Sequence, residues 1–187
     1  MGKKKYLYIF FVILSFGSAL LFSSLFLDVI EFLYKKPATA GLLYRTIRGH
    51  SMVPTFMDGE IIAIHKDIPP MDKINKNMHL VLQSLGLKDS LILKQVVATP
   101  GDSIRLELIS NSNYVLYINE EILELPKGQK KIFSKSQIKI LDRIIRSNQG
   151  RIPEASLLVL GISSDSIDSS LFGLIGPEHI LGYVLKD

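Results

Sequence analysis

Residues 6–27 carry no charged side chain. A helix of that length, rising 1.5 Å per residue, spans about 33 Å, which matches the hydrocarbon core of a bilayer. A helix apolar on every face is hard to enclose in a small domain. Residues 6–33 are therefore expected to form one transmembrane anchor. Tyr6 and Tyr8 stand at one end, where amphipathic rings favour the headgroup level, and Lys3, Lys4 and Lys5 precede them. Those charges place residues 1–5 in the cytoplasm and the rest of the chain on the far side of the membrane. A cleaved signal peptide would have a shorter apolar run, about 7–15 residues. The small-x-small triplet Ala38-Thr39-Ala40 also lies well past the apolar run, beyond Asp28, Glu31 and two lysines.

Residues 34–43, "YKKPATAGLL", read as a linker, with Pro and Gly punctuating small residues. Beyond it the apolar period shortens to that of strands. Short runs rich in Ile, Val, Leu and Tyr occupy residues 59–66, 79–85, 91–98, 102–109, 114–122, 156–162 and 180–186. The clusters "DIPPMDK", "TPGD", "SNSN", "PKG" and "SSDS" separate them as turns. Residues 135–147 break the pattern: Ile138, Leu141, Ile144 and Ile145 fall on one face of a short amphipathic helix. The expected architecture is one mainly β domain of coiled antiparallel sheets over residues 44–187, behind one transmembrane helix.

Composition narrows the function. At 47% hydrophobic against 21% charged residues, the chain has enough apolar material to bury and is not disordered. The absence of cysteine excludes a disulfide scaffold, a thiol nucleophile and a thiolate zinc site. The net charge of +4 comes with no nucleic-acid motif. Its excess is partly the amino-terminal lysines and partly "KGQKK", residues 127–131, which reads as a solvated turn. Attraction of that turn to anionic headgroups is the sharper alternative.

Three stretches carry candidate chemistry. In "GHSMVPT", residues 49–55, Gly49 and Pro54 bound an irregular segment that can hold the Ser51 hydroxyl clear of regular structure, although serines in such loops are usually turn residues. A serine hydroxyl is a poor nucleophile without a base. None of the four histidines has a distinctive partner in sequence. The other solution is a lysine whose pKa is lowered by burial. In "LILKQVVA" strand alternation puts Lys94 on one face with Ile92 and Val96, where an unpaired ammonium tends to neutralise. The plainer reading is an edge-strand lysine reaching water. The third stretch, "GISSDSIDSSLFG" at residues 161–173, is dense in hydroxyls. It is either a solvated turn or a set of groups that hold a neutral lysine in place.

In this order and spacing, "GHSMVPTFMDGE", "ILKQVVATPGDSI" and "GISSDSIDSSLFGLIGPEHILGYV" resemble the boxes of type I signal peptidases, the serine–lysine peptidases of the S26 family. The family includes leader peptidases and conjugative-transfer peptidases that mature pilins. The resemblance implies a mainly β catalytic core anchored near the outer surface of the bacterial plasma membrane, with no metal or cofactor. It implies Ser51 as nucleophile, Lys94 as general base and Met52 packed beside the pair. Ser166 would orient the lysine amine, and Asp168 and Ser169 would support it. Pro100, Gly101 and Asp102 match the turn after the lysine strand.

Departures are equally legible. Gln95 and Ser170 stand where the family usually has arginines, so Asp168 loses its expected cationic neighbour. Ile162 and Ser163 replace a frequent Asp-Asn, and Gly49 replaces a serine that in some relatives donates to the oxyanion. The expected function is removal of leader peptides from exported precursors. Two alternatives are a dedicated pilin peptidase that cuts or cyclises a prepilin, and a non-catalytic tethered β domain of a secretion or pilus apparatus. The expected partners are the precursor or prepilin and membrane lipid, with no nucleic acid. Self-processing at the small-small Ala40–Gly41 bond is a minor alternative, which the sequence leaves open.

Overall fold

In a computed structural model, residues 41–83 and 91–186 are described. The expected anchor at 6–33, the cytoplasmic residues 1–5, most of the linker and the Ala40 side of the Ala40–Gly41 bond lie outside them. Among the described residues no helix is long and apolar enough to cross a membrane.

The apolar runs form strands: the run over 91–98 is strand throughout, while those over 59–66 and 180–186 lose residues at their ends. The main sheet is antiparallel and contains β1 (Leu42–Thr46), β2 (Ile61–His65), β3 (His79–Gln83), β4 (Leu91–Ala98), β11 (Leu158–Leu160) and β12 (Ile180–Val184), in the order β1-β2-β12-β3-β4-β11. β1 starts at Leu42, inside the stretch expected to be linker. A second antiparallel sheet has the order β10-β6-β5, from β5 (Ile104–Ser110), β6 (Asn113–Ile118) and β10 (Ile132–Ser134). The expected strand over 114–122 breaks at Asn119 and Glu120, both at positive φ, into β6 and the short β7 (Glu121–Ile122). Two successive residues at positive φ make the tight turn whose twist suits a hairpin. β8 (Glu124–Leu125) and β9 (Gln129–Lys130) pair as a separate ribbon.

The main sheet is covered on both faces, which is why β3, β4 and β11 read as nearly continuous apolar runs. Val81 and Leu93 join Met52, Phe56, Ile62 and Ile64 in one cluster. Leu80, Leu82, Val96 and Val159 join Leu157, Ile175 and Ile180 in another. A third cluster ties the two sheets together through Val97, Leu158, Leu160, Leu116, Ile118 and Phe133. Helix α1 (Ile138–Ser147) closes that cluster with Leu141 and Ile144 buried and Ile138 and Ile145 packed beside them, as the helical spacing predicts. It ends where Gln149 and Gly150 turn to positive φ and the Gly150 N–H closes on Ile145 O at 2.8 Å.

Leu141 is fully enclosed. Leu141→Ala is expected to cost about 2–5 kcal/mol, whereas Lys139→Ala on the same helix should stay within about 0.5 kcal/mol. Denaturant unfolding of the two variants beside the parent checks this.

Candidate active site

Ser51 lies in the turn between β1 and β2. Gly49 enters it at φ 93°, a conformation that disfavours a side chain, and its N–H donates to Asp58 Oδ1 at 2.8 Å. Phe56 N–H closes on Met52 O at 2.9 Å, while Met52 and Phe56 are buried. The turn is thus fixed by an apolar pair below and a carboxylate at its mouth.

Lys94 reaches this turn from β4. It is 2% exposed, so the edge-strand reading does not hold. Its Nζ lies 2.8 Å from Ser51 Oγ and 2.9 Å from Leu93 O. Burial pushes its pKa from 10.5 down to about 8; the Asp168 carboxylate opposes that shift and the Lys131 charge adds to it. No histidine hydrogen-bonds to Ser51 among the described residues; His79 packs edge-on against Phe56 and His65 stacks on Tyr183.

The segment 161–163 runs beneath Ser51 as a strap. Ile162 and Ser163 both donate to Ser51 O, at 2.7 and 3.1 Å, and the Gly161 N–H donates to Asp168 Oδ2 at 2.9 Å. Gly161 is required by close approach: a Cβ there would collide with Ser166 Oγ and sit 2.9 Å from Ser51 O. Asp168 is buried and caps the short helix α2 (Ser169–Phe172), accepting from Ser170 N at 3.0 Å and Ser170 Oγ at 2.8 Å. Val159 N–H donates to Ser169 Oγ at 3.0 Å, tying α2 to β11. Ser166 Oγ is buried beside Gly161 and has no hydrogen-bond partner among the described residues, Lys94 included. Pro100, Gly101 and Asp102 lie apart in the β4–β5 turn, where Asp102 Oδ2 accepts from Thr99 N at 2.8 Å.

One group at the site escaped the sequence reading. Lys131 does not belong to a solvated turn: it is 4% exposed, and its Nζ donates to Gly161 O, Ser163 O and Ile162 O at 2.7, 3.0 and 3.4 Å. The other two lysines of its cluster, Lys127 and Lys130, are exposed as expected. Period-two alternation into β10 puts Lys131 on the face of the buried Phe133, the same kind of signal that singled out Lys94.

Above Ser51 opens a cleft of about 660 Å³, floored by Ile62, Ile64, Val81 and Leu93 and walled by residues 45–49 and 91–94. Both walls are strand edges. β1 ends the sheet, and β11 pairs with β4 only from Gln95 onward.

The family model described as "Signal peptidase, peptidase S26" matches residues 18–185. The chain belongs to that family. The peptidase is 30% identical over 148 residues to signal peptidase IB of Staphylococcus aureus, covering 74% of this chain and 73% of the relative. It is 39% identical over 80 residues to signal peptidase I of Streptococcus pneumoniae, covering 43% of this chain and 34% of that one. Membership makes it a serine peptidase, a hydrolase.

A buried ammonium weakens the fold. Below pH 8 both folded and unfolded chains carry the Lys94 charge, and its burial penalty is present in full. The penalty fades as pH rises from about 8 toward 10.5, because only the folded chain then sheds the proton. Lys94→Met is therefore expected to stabilise the peptidase by on the order of 1–3 kcal/mol at pH 7, with the gain shrinking by pH 10. Thermal melts at the two pH values check it.

Proposed function

We propose that the peptidase removes signal peptides from exported precursors with Ser51 as nucleophile and Lys94 as general base. The observation that carries this is the 2.8 Å approach of the Lys94 amine to the Ser51 hydroxyl in a buried setting. A neutral amine has two N–H groups and one lone pair. With one N–H on Leu93 O, the lone pair is free to accept the Ser51 proton. Ser51 Oγ then attacks the scissile carbonyl, and the lysine returns the proton to the leaving amine before activating water for deacylation. The Ser51 N–H donates to no backbone carbonyl among the described residues, which leaves it available to the developing oxyanion.

The precursor binds as an extended strand in the cleft between the two free edges, with its side chains over the Ile62–Val81 floor. Asp168 and Ser169 hold the strap and α2 that carry this geometry, Ser166 packs against Gly161, and Met52 packs under the serine. Residues 6–33 anchor the enzyme in the plasma membrane, with residues 1–5 cytoplasmic and the catalytic domain on the outer side where exported precursors emerge. The names of the relatives favour general signal-peptide removal over a dedicated pilin enzyme.

Ser51→Ala and Lys94→Ala are each expected to lower precursor cleavage by at least about a thousand-fold, as loss of a nucleophile or its base does. In the parent, kcat/KM rises with pH as Lys94 loses its proton and levels off above about pH 8. Cleavage of a purified precursor with small residues before the cut, followed from pH 6 to 10, tests both. Normal cleavage by Ser51→Ala would sink the assignment.

A further inference from the structure

The strap beneath Ser51 uses all six of its main-chain polar groups, and its three carbonyls converge on one cation. The N–H groups of Ile162 and Ser163 go to Ser51 O, and that of Gly161 goes to Asp168. The carbonyls of all three residues receive Lys131 Nζ. Three carbonyls facing one nitrogen call for three N–H donors, which an ammonium has and a neutral amine lacks. Lys94 faces one carbonyl and one hydroxyl, a set that suits the amine. Two buried lysines thus stand near one carboxylate with partner sets that favour opposite protonation states.

We propose that Lys131 is a positioning residue of this peptidase: a buried ammonium that pins the 161–163 strap under Ser51 and, by its charge, keeps a proton off Lys94. The proposal rests on the serine–lysine reading above. It also answers two of the departures in the family boxes, the missing arginines. Gln95, in the place of one arginine, donates to Asn77 Oδ1 at an exposed position instead, and Ser170, in the place of another, bonds Asp168 without charge. Lys131 supplies the missing cation from the β9–β10 connection, and its Nζ lies 5.7 Å from the Phe133 ring centroid.

The charges acting on the two lysines are few. Lys94 feels Asp168, which favours its proton, and Lys131, which opposes it. Lys131 feels Asp168 and Asp165 against a burial penalty that lowers its pKa. On its other side a small cavity places Lys76, Glu121 and Glu124 around it. Removing the Lys131 charge leaves Asp168 unopposed at Lys94. The amine then holds its proton to higher pH, and the acid limb of kcat/KM moves upward.

The test uses the full chain in detergent and the same precursor assay. Lys131→Met and Lys131→Gln are expected to lose roughly ten-fold in kcat/KM at pH 7, most of it recovered at pH 9–10. Gln keeps a donor for the carbonyls without the charge, and so carries the test where Met fails to fold. Lys131→Arg keeps the limb where the parent has it. Adding Asp168→Asn to Lys131→Gln brings the limb back down, which lost packing alone would not do. A carbon-13 NMR titration of lysine Cε in the otherwise intact Ser51→Ala protein should show one buried lysine titrating near pH 8 while a second stays charged. An unmoved limb in both neutral variants, a loss equal at every pH, or two buried lysines neutral together overturns the proposal. Cleavage surviving in Ser51→Ala overturns the serine–lysine reading on which the proposal rests, and that arm tells the two failures apart.

Discussion

A lysine amine held dry against a serine hydroxyl is the constraint around which the rest is arranged. Dryness comes from the sheet: β3 is paired with β4 from Leu91 to Gln95, across Lys94, and apolar clusters cover both faces of these strands. Proximity comes from the β1–β2 turn, whose backbone is held by Asp58, Met52 and the strap. Either alone is useless. A buried lysine without the hydroxyl would carry only its desolvation cost, and a serine without the amine would be a turn residue.

The strap explains how a loop can hold a fixed geometry. Loops are usually mobile because their polar backbone groups exchange with water. Residues 161–163 bond instead to Ser51, Asp168 and Lys131, each of which is fixed by a different part of the fold. Shifting the strap breaks several charge-assisted bonds at once, and these are stronger than neutral ones. Gly161 is the point where the requirement becomes steric, since Ser166 and Ser51 leave no room for a Cβ.

Much of this was legible in the sequence, unevenly. The strands were legible because both-face burial makes unbroken apolar runs, and α1 because Leu141 and Ile144 keep helical spacing. The divided strand at Asn119 was less so, because Asn119 suits a turn but Glu120, also at positive φ, does not announce one as Gly would. Ser51 and Lys94 could be paired only through a family pattern, since 43 positions separate them and their contact exists in space alone. Lys131 was masked by its neighbours. Lys127 and Lys130 are exposed, and composition reads three nearby lysines as one solvated group although one of them alternates onto the face of Phe133.

A departure from a family pattern weakens a site only when nothing else in the fold supplies what was lost. Losing arginines at 95 and 170 suggests a weakened site only if the cation must come from those positions. Electrostatics in a buried site depends on distance and dielectric, not on where in the chain the charge originates. An ammonium from the β9–β10 connection serves Asp168 and Lys94 as well, provided its own three donors are satisfied, and the 161–163 carbonyls satisfy them. Such a replacement has a consequence. An arginine within the motif would move with the motif, whereas Lys131 couples the strap to the ribbon and to the second sheet through Phe133. Rigidity of the Ser51 turn in this chain therefore depends on packing well outside the motif, and damage to the second sheet reaches Ser51 through one buried side chain.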